Sequence, residues 1–254
     1  MNKREFFVKM FYTFFFMMTI IVLSKIKLQP IFGTPSRFSL LAMFAPIVPY
    51  FTGISWGFIA IFGARILQFI IGISTVKDLF SYLIFMPVFF GGIYFARLFK
   101  KEKGLVLIPI ISIILFNLHP IGRVVWYYSM FWLIPIAITL LQPWIRKLTR
   151  LRDLPTIYIY ALASTFIDHA VGSVMFLYYL NIPAIYWNMA IPYVPFERAI
   201  YAIGITIFYC FVKKSIESFS KVVPIEIVKI TPVERKMEII IKQESSKNDY
   251  KTYN

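Results

Sequence analysis

The chain has 254 residues, of which 59% are hydrophobic and 15% charged, and its mean hydropathy is +0.72. A water-soluble domain carries about a quarter charged residues, so this composition excludes an ordinary soluble fold and indicates a protein of the lipid bilayer. The net charge of +15 lies in short clusters between apolar runs, as in membrane-protein loops, and no nucleic-acid-binding motif accompanies it; we therefore expect no nucleic-acid partner.

Eight apolar runs follow one another along the chain as candidate membrane spans, each of which needs about 20 residues to cross the hydrocarbon core. The first run follows Met1-Asn-Lys-Arg4 and has no small-x-small cleavage motif, so we interpret it as a retained helix rather than a secretory signal. The second and fifth runs are short, and one of them could be re-entrant, which leaves seven or eight spans in an all-α transmembrane bundle. The runs are residues 6–23, 38–52, 54–74, 79–99, 105–118, 124–141, 156–180 and 195–212.

The basic residues of the loops are distributed unequally between the two sides of the membrane. With the N-terminus inside, the positive-inside rule predicts a multi-pass protein of the cell membrane with both termini in the cytoplasm. That arrangement requires an even number of spans and favours eight. The inner side holds Lys3, Arg4, Lys9, Arg97, Lys100, Lys101, Lys103, Arg146, Lys147, Arg150, Arg152, Lys213 and Lys214, and the outer side holds Lys25, Lys27, Arg37, Lys77 and Arg123.

The composition changes after the last run. We divide the chain into a transmembrane helical bundle, residues 1–214, and a cytoplasmic tail, residues 215–254, which holds half of the acidic residues. Alternating apolar residues predict two short strands at 225–230 and 236–242, and the final residues have the composition of a disordered segment. The tail is either a docking segment for a partner or an inert solvated extension.

The seventh run places two ionisable residues, Asp168 and His169, inside the bilayer, where such groups are costly and usually have a role. At helical spacing Ala161, Thr165, Asp168 and Gly172 share one ridge, so a second helix can approach closely and the carboxylate faces protein rather than lipid. His169 is either a proton shuttle or a hydrogen-bonded structural histidine.

The last run begins after several prolines that interrupt a continuous helix. Pro195 suits the first turn of a helix, which puts Glu197 at the helix N-terminus with Arg198 beside it. Trp187 and Asn188 come before this helix, and we expect them in a loop above it at the outer end.

Arg65 lies in the outer half of the third run, where a lone arginine needs an anionic partner. Asp168 and Glu197 are the carboxylates available to it. The charges either form internal ion pairs that only fix helix packing, or they line an outward-opening pocket. Such a pocket, roofed by Trp187, Asn188 and nearby tyrosines, would suit a flat polar small molecule.

The sequence gives no sign of catalytic or metal chemistry. Cys210 is the only cysteine, and two histidines cannot supply a three-histidine zinc site. The motifs HExxH, GxSxG, Walker A and GxGxxG are absent. We therefore expect neither an enzyme nor a cofactor, and any active transport would need an energising partner or an ion gradient.

Proline and glycine punctuate an apolar helix pair at Phe44-Ala-Pro-Ile-Val-Pro-Tyr-Phe-Thr-Gly-Ile-Ser-Trp-Gly57. With the polar residues of the last two runs, this segment resembles the S components of energy-coupling-factor (ECF) transporters, small membrane subunits that capture vitamins. The resemblance covers residues 38–214. It implies a substrate site near the outer face and docking onto a transmembrane coupling subunit with paired ATPases. The ligand contacts that it implies are Asp168, Asn188, Glu197 and Arg198.

We therefore expect a substrate-binding integral membrane subunit of a small-molecule, vitamin-type importer. A stand-alone ion-coupled carrier, with Asp168 and His169 as a proton relay, stays open. So do an intramembrane enzyme acting on lipid-linked substrates, with hydroxyl residues near His169, and a scaffold without a ligand. The candidate substrate-binding residues are Arg65, Asp168, His169, Trp187, Asn188, Glu197 and Arg198.

Overall fold

The computed structural model describes residues 3–30, 33, 37–75, 78–149 and 153–222. Helices dominate this part of the chain, which confirms the predicted all-α class, and one short antiparallel strand pair accompanies them. The strands are β1 (Lys27–Pro30) and β2 (Arg37–Ser39). The helices are α1 (Lys3–Lys25), α2 (Leu41–Phe44), α3 (Val48–Thr52), α4 (Ile54–Ile70), α5 (Leu79–Leu83), α6 (Met86–Leu98), α7 (Leu107–Leu118), α8 (Pro120–Val124), α9 (Leu133–Leu140), α10 (Gln142–Leu148), α11 (Asp153–Leu180), α12 (Ala184–Ala190) and α13 (Val194–Val222).

Several helical segments of the described chain are long and apolar enough to cross a membrane, which indicates a membrane protein. Four qualify singly, and a fifth is added if a pair of helices bent by 68° is one span. Each apolar run predicted from the sequence corresponds to one of the following segments. The four are Glu5–Lys25, Leu79–Leu98, Leu154–Leu180 and Val194–Ser218; the bent pair is Trp126–Leu140 with Gln142–Leu148; and the shorter apolar helices are Leu41–Thr52, Ile54–Ile70 and Lys103–Leu118.

Three runs that the hydropathy pattern predicts as single helices are interrupted; one of them, at 38–52, divides into α2 and α3. The run at 124–141 begins as a 3-10 turn, Trp126–Trp132, before α9 starts. Pro135, in the first turn of α9, has no backbone N–H to donate to the preceding turn, so a regular α-helix cannot continue through it. The run at 79–99 divides into α5 and α6, and Pro87 occupies the first turn of α6 for the same reason.

Helix α11 packs most extensively against α6, through small residues on both helices. The Ser164 hydroxyl donates to the carbonyl oxygen of Gly91 at 2.8 Å. A Cβ atom on Gly91 would lie 3.0 Å from the Ser164 carbonyl oxygen, so the two backbones touch at this point. Ala161 and Asp168 are buried on the same ridge of α11. The predicted close approach of a second helix to this ridge is confirmed.

One end of the bundle joins the end of α6 to α10 and to the start of α11. Gln142 donates to the Leu98 carbonyl oxygen and to the hydroxyl of Tyr160. Arg146 donates to the Phe99 carbonyl oxygen at 3.0 Å and to Tyr160 at 2.9 Å. The positive-inside pattern assigns these segments to the same, inner side.

The other end joins the end of α1, the end of α4, the start of α5 and the end of α11. Gln68 of α4 donates to the hydroxyl of Ser24 in α1 at 2.7 Å. The hydroxyl of Tyr179 in α11 donates to the carboxylate of Asp78, which caps α5. The sequence assigns these segments to the outer side, so segments assigned to one side lie together.

The chain divides into two compact units, Met1–Phe211 and Val212–Asn254. The first unit contains the bundle, and the described part of the second is the end of α13, up to Val222. The two strands predicted at 225–230 and 236–242 lie outside the described residues. The division into a bundle and a tail at residue 214 stays a prediction.

Candidate functional site

A central cavity of about 100 Å³ lies among α11, α12 and the first turn of α13. Five of the candidate residues line it: Asp168 and His169 from α11, Trp187 from α12, and Glu197 and Arg198 from α13. Tyrosines from α12 and from the turn after it also line the cavity. The predicted combination of charged and aromatic groups is therefore present in one place.

Arg198 is the centre of the charge cluster, and its side chain is fully buried. Its Nη1 donates to Asp168 Oδ2 at 3.5 Å and to the Thr165 carbonyl oxygen at 3.3 Å. Its Nη2 forms an ion pair with Glu197. Among the described residues, Nε has no hydrogen-bond partner. One buried guanidinium thus lies between two carboxylates without satisfying all of its own donors.

The start of α13 explains why these groups meet. The helix begins at Val194 and carries Pro195 in its first turn, as predicted from the sequence. Glu197 is the acidic residue of that first turn, where the helix dipole favours a negative charge. The backbone N–H of Glu197 donates to the Tyr193 carbonyl oxygen at 2.9 Å, which forms the first turn of the helix.

Both ring nitrogens of His169 are used by aromatic neighbours. Trp132 Nε1 donates to His169 Nδ1 at 3.1 Å, and the Tyr128 hydroxyl lies 2.8 Å from His169 Nε2. An indole N–H can only donate, so Nδ1 accepts, and the proton of a neutral ring is on Nε2. This arrangement favours a structural histidine over a proton shuttle.

Ser164 and Thr165, two hydroxyl residues near His169 in sequence, do not form a nucleophile–base pair with it. The Ser164 hydroxyl donates to a carbonyl of α6, and the Thr165 hydroxyl donates to the Leu162 carbonyl oxygen at 2.8 Å. A catalytic serine or threonine would instead be hydrogen-bonded to its base. Within the described ranges no group of three His, Cys, Asp or Glu side chains could hold a metal ion.

The segment that carries Trp187 and Asn188 is a short helix, α12, and the prediction of a loop is wrong. Pro183 lies at its N-cap, where the missing N–H and the fixed φ of proline are tolerated. Trp187 is buried and donates to the Ile182 carbonyl oxygen at 3.0 Å. Asn188 is exposed, accepts a hydrogen bond from Tyr127 at 2.6 Å, and does not line the central cavity.

Arg65 does not join the charge cluster around Arg198. Its Nε donates to the Ser81 carbonyl oxygen at 2.7 Å, and its Nη1 donates to Gln68 at 3.1 Å and to Ser74 at 3.0 Å. Among the described residues Arg65 has no carboxylate partner, contrary to the prediction. Its guanidinium contacts neutral oxygens instead, and its Cζ lies 4.3 Å from the centre of the Phe69 ring.

Arg65 instead lines a second cavity, the basic cavity, which has a volume of about 320 Å³. Three other cations line it with Arg65: Lys25, Lys27 and Arg37. The positive-inside pattern treats those three as ordinary loop charges of the minority side. Their position in one predicted outer segment, between the first and second runs, is the signal in the sequence that groups them.

The basic cavity and the central cavity adjoin one another. Phe38, Asp168 and Phe176 line both of them. The carboxylate that pairs with Arg198 in one cavity is thus a wall residue of the other. The two cavities therefore lie side by side and share three wall residues.

Comparison of the chain with protein-family models, with curated proteins and with solved structures found no match. The proposals that follow therefore use the geometry and the charges of these two cavities.

Proposed function

We propose that the chain is a multi-pass cell-membrane protein that binds a small molecule, as the substrate-binding subunit of a vitamin-type importer. The observation that carries this proposal is the charged cluster of Asp168, Arg198 and Glu197 in the wall of a cavity. Burying three ionisable groups among apolar helices costs free energy, and a structural ion pair needs its donors satisfied to offset that cost. The unpaired, buried Nε of Arg198 leaves that cost incompletely offset.

The size of the polar region supports a small-molecule ligand. Binding pockets for such ligands usually measure about 300–1,000 Å³. The central cavity, at about 100 Å³, is too small by itself, but the adjoining basic cavity adds about 320 Å³. A ligand that reaches past Phe38 would occupy both, with its flat part near Trp187 and Tyr186.

The arrangement of the loops supports the proposed topology of eight spans with both termini in the cytoplasm. Segments that this topology puts on one side of the membrane lie at one end of the bundle, and both cavities are lined by segments assigned to the outer side. A substrate-capturing subunit needs its site to open on the outer side. The resemblance to ECF S components adds a proposed partner, a transmembrane coupling subunit with ATPases, and no cofactor.

Ligand binding by the purified chain, without any partner, tests the proposal. Native mass spectrometry of the protein extracted from its own membrane should show a bound small organic molecule. We expect the substitution Glu197→Gln to lower retention of that molecule. Glu102→Gln is the matched control, because Glu102 also pairs with an arginine, Arg97, but at the opposite end of the bundle. Equal retention in both variants would reject the proposed site.

Transport assays separate an importer subunit from a stand-alone carrier. Liposomes that contain this chain alone should not accumulate the molecule under a pH gradient, whereas liposomes with the energising partner and ATP should. Accumulation driven by the gradient alone would reject the role of a subunit. Both His169 nitrogens are hydrogen-bonded within the protein, which supports the expectation that the chain alone does not couple uptake to a pH gradient.

A further inference from the structure

The cations of the basic cavity come from four different elements. Lys25 ends α1, Lys27 begins β1, Arg37 begins β2, and Arg65 lies on α4. They line a cavity of about 320 Å³, which is large enough for a small ligand. Four positive charges therefore lie around one space.

These cations have no protein counter-ion among the described residues. Among the described residues, no carboxylate lies within 4.0 Å of a side-chain nitrogen of Lys25, Lys27, Arg37 or Arg65. Asp168 also lines the cavity, but its carboxylate pairs with Arg198. Like charges held close together without an anion destabilise one another, so the cavity lacks the negative group that would balance it.

The hydrogen bonds of the cavity leave donors available. Within the described part of the chain Lys27 Nζ donates one hydrogen bond, to the Ser24 carbonyl oxygen at 2.9 Å, and an ammonium group has three donors. Arg65 uses Nε and Nη1 for neutral oxygens, and in the described part of the chain its Nη2 makes no hydrogen bond. Both side chains are thus held in place by the protein and keep donors for a ligand.

The electrostatics of Lys27 are consistent with this crowding of charge. Burial lowers the pKa of Lys27, and the nearby charges of Lys25 and Arg65 lower it further. An anion in the cavity would oppose both effects, because it favours the charged form of the lysine.

We propose that the basic cavity binds a phosphate group. A tetrahedral phosphate presents oxygens in several directions and carries up to two negative charges, which matches donors that arrive from four elements. A planar carboxylate presents only two oxygens and one charge. These properties belong to inorganic phosphate and to phosphate monoesters, which keep at least three terminal oxygens. The phosphate therefore belongs either to a small soluble molecule or to a lipid headgroup that ends in a phosphate monoester.

Equilibrium dialysis with ³²P-labelled inorganic phosphate tests the site in the full-length protein. We use nanodiscs of phosphatidylcholine at low ionic strength and expect saturable binding. Lys25→Gln and Arg37→Gln should each weaken it by about tenfold, the loss expected for one charge-assisted hydrogen bond. Neither side chain makes an ion pair with a described residue, so both variants are expected to fold.

Lys100→Gln removes one charge at the opposite end of the bundle and is the matched control. It should leave phosphate binding unchanged. If the wild-type protein shows no saturable binding, or if all three variants lose it equally, the phosphate site is rejected.

A second arm identifies the source of the phosphate. Part of the phosphatidylcholine is replaced by phosphatidic acid, whose headgroup is a phosphate monoester, or by the same fraction of phosphatidylglycerol as a charge control, and the labelled phosphate is measured again. Displacement by phosphatidic acid beyond that by phosphatidylglycerol assigns the site to lipid phosphate, and equal binding in the two membranes assigns it to a soluble phosphate compound.

The inference that the importer's substrate is a phosphate compound rests on the proposed function. The inference that the basic cavity binds phosphate does not depend on it. Phosphate binding without any uptake in the presence of partner and ATP would keep the site and reject the importer. Uptake without phosphate binding would keep the importer and reject the site.

Discussion

Trp132 donates a hydrogen bond from its indole nitrogen to Nδ1 of His169 over 3.1 Å. The two residues are 37 positions apart in the sequence and come from different helices. Because tryptophan cannot accept at that nitrogen, the bond also determines which nitrogen of the neutral imidazole carries the proton. The opposite nitrogen faces the hydroxyl of Tyr128.

The first prediction concerns the tautomer of His169. In NMR spectra of protein labelled with ¹⁵N-histidine, we expect the neutral His169 ring to be protonated at Nε2 and unprotonated at Nδ1. The chain has only two histidines, so His119→Gln assigns the remaining signal directly. A ring protonated at Nδ1 would contradict the bond from Trp132.

The second prediction concerns the stability that this bond provides. Trp132→Phe leaves the buried Nδ1 without a donor, and we expect it to lower the free energy of unfolding by about 1–3 kcal/mol. Trp126→Phe is the control, because Trp126 is 54% exposed, and it should change stability little. Thermal unfolding in detergent measures both, and equal effects would show that the bond is not the cause.

The third prediction concerns the contact between α6 and α11. A Cβ on Gly91 would lie 3.0 Å from the Ser164 carbonyl oxygen and 3.4 Å from Asp168 Cβ. We expect Gly91→Ala to force the helices apart and to lower stability by about 1–3 kcal/mol. Gly104 has no atom within 4 Å of an added Cβ, so Gly104→Ala should be tolerated. If the two variants unfold at the same temperature, the helices are not packed as closely as described.

The fourth prediction concerns the pKa of Lys27, which burial lowers first and the charges of Lys25 and Arg65 lower further. Because the native state holds this proton more weakly than the unfolded chain does, stability should rise with pH between the lowered pKa and the ordinary value of 10.5. Lys25→Gln should move the Lys27 pKa upward. NMR titration of ¹³C-dimethylated lysines measures the shift, and Lys100→Gln should leave it unchanged.

The fifth prediction concerns topology. In a Cys210→Ser background, single cysteines at Met189 and Lys100 lie on exposed positions of opposite ends of the bundle. We expect a membrane-impermeant thiol reagent added to intact cells to label Met189→Cys and not Lys100→Cys. Labelling of both positions from the same side would reject the outward-facing site.

Much of the helical framework follows from the sequence, because apolar length and helical spacing are local properties. The small residues on one ridge with Asp168 predict a buried carboxylate and a tightly packed neighbour, and both are found. The start of α13 at Val194, with Glu197 in its first turn, follows from the position of Pro195.

The partners of the buried groups do not follow from the sequence, because they depend on which distant segments meet. No spacing rule connects His169 with Tyr128 and Trp132. The carboxylate predicted for Arg65 was reasonable from charge alone, but neutral oxygens of the nearby turn and of α5 reach the guanidinium instead. The hairpin of β1 and β2 was missed because its strands are only 4 and 3 residues long.

The bridge between Arg198 and Asp168 also has a consequence for biosynthesis. Helix α11 leaves the ribosome before α13, so Asp168 is made before the arginine that pairs with it. A buried charge without its partner is unfavourable, and the pair can form only when α13 has been synthesised. A nascent chain that ends before Arg198 would therefore leave the carboxylate of Asp168 without its cation.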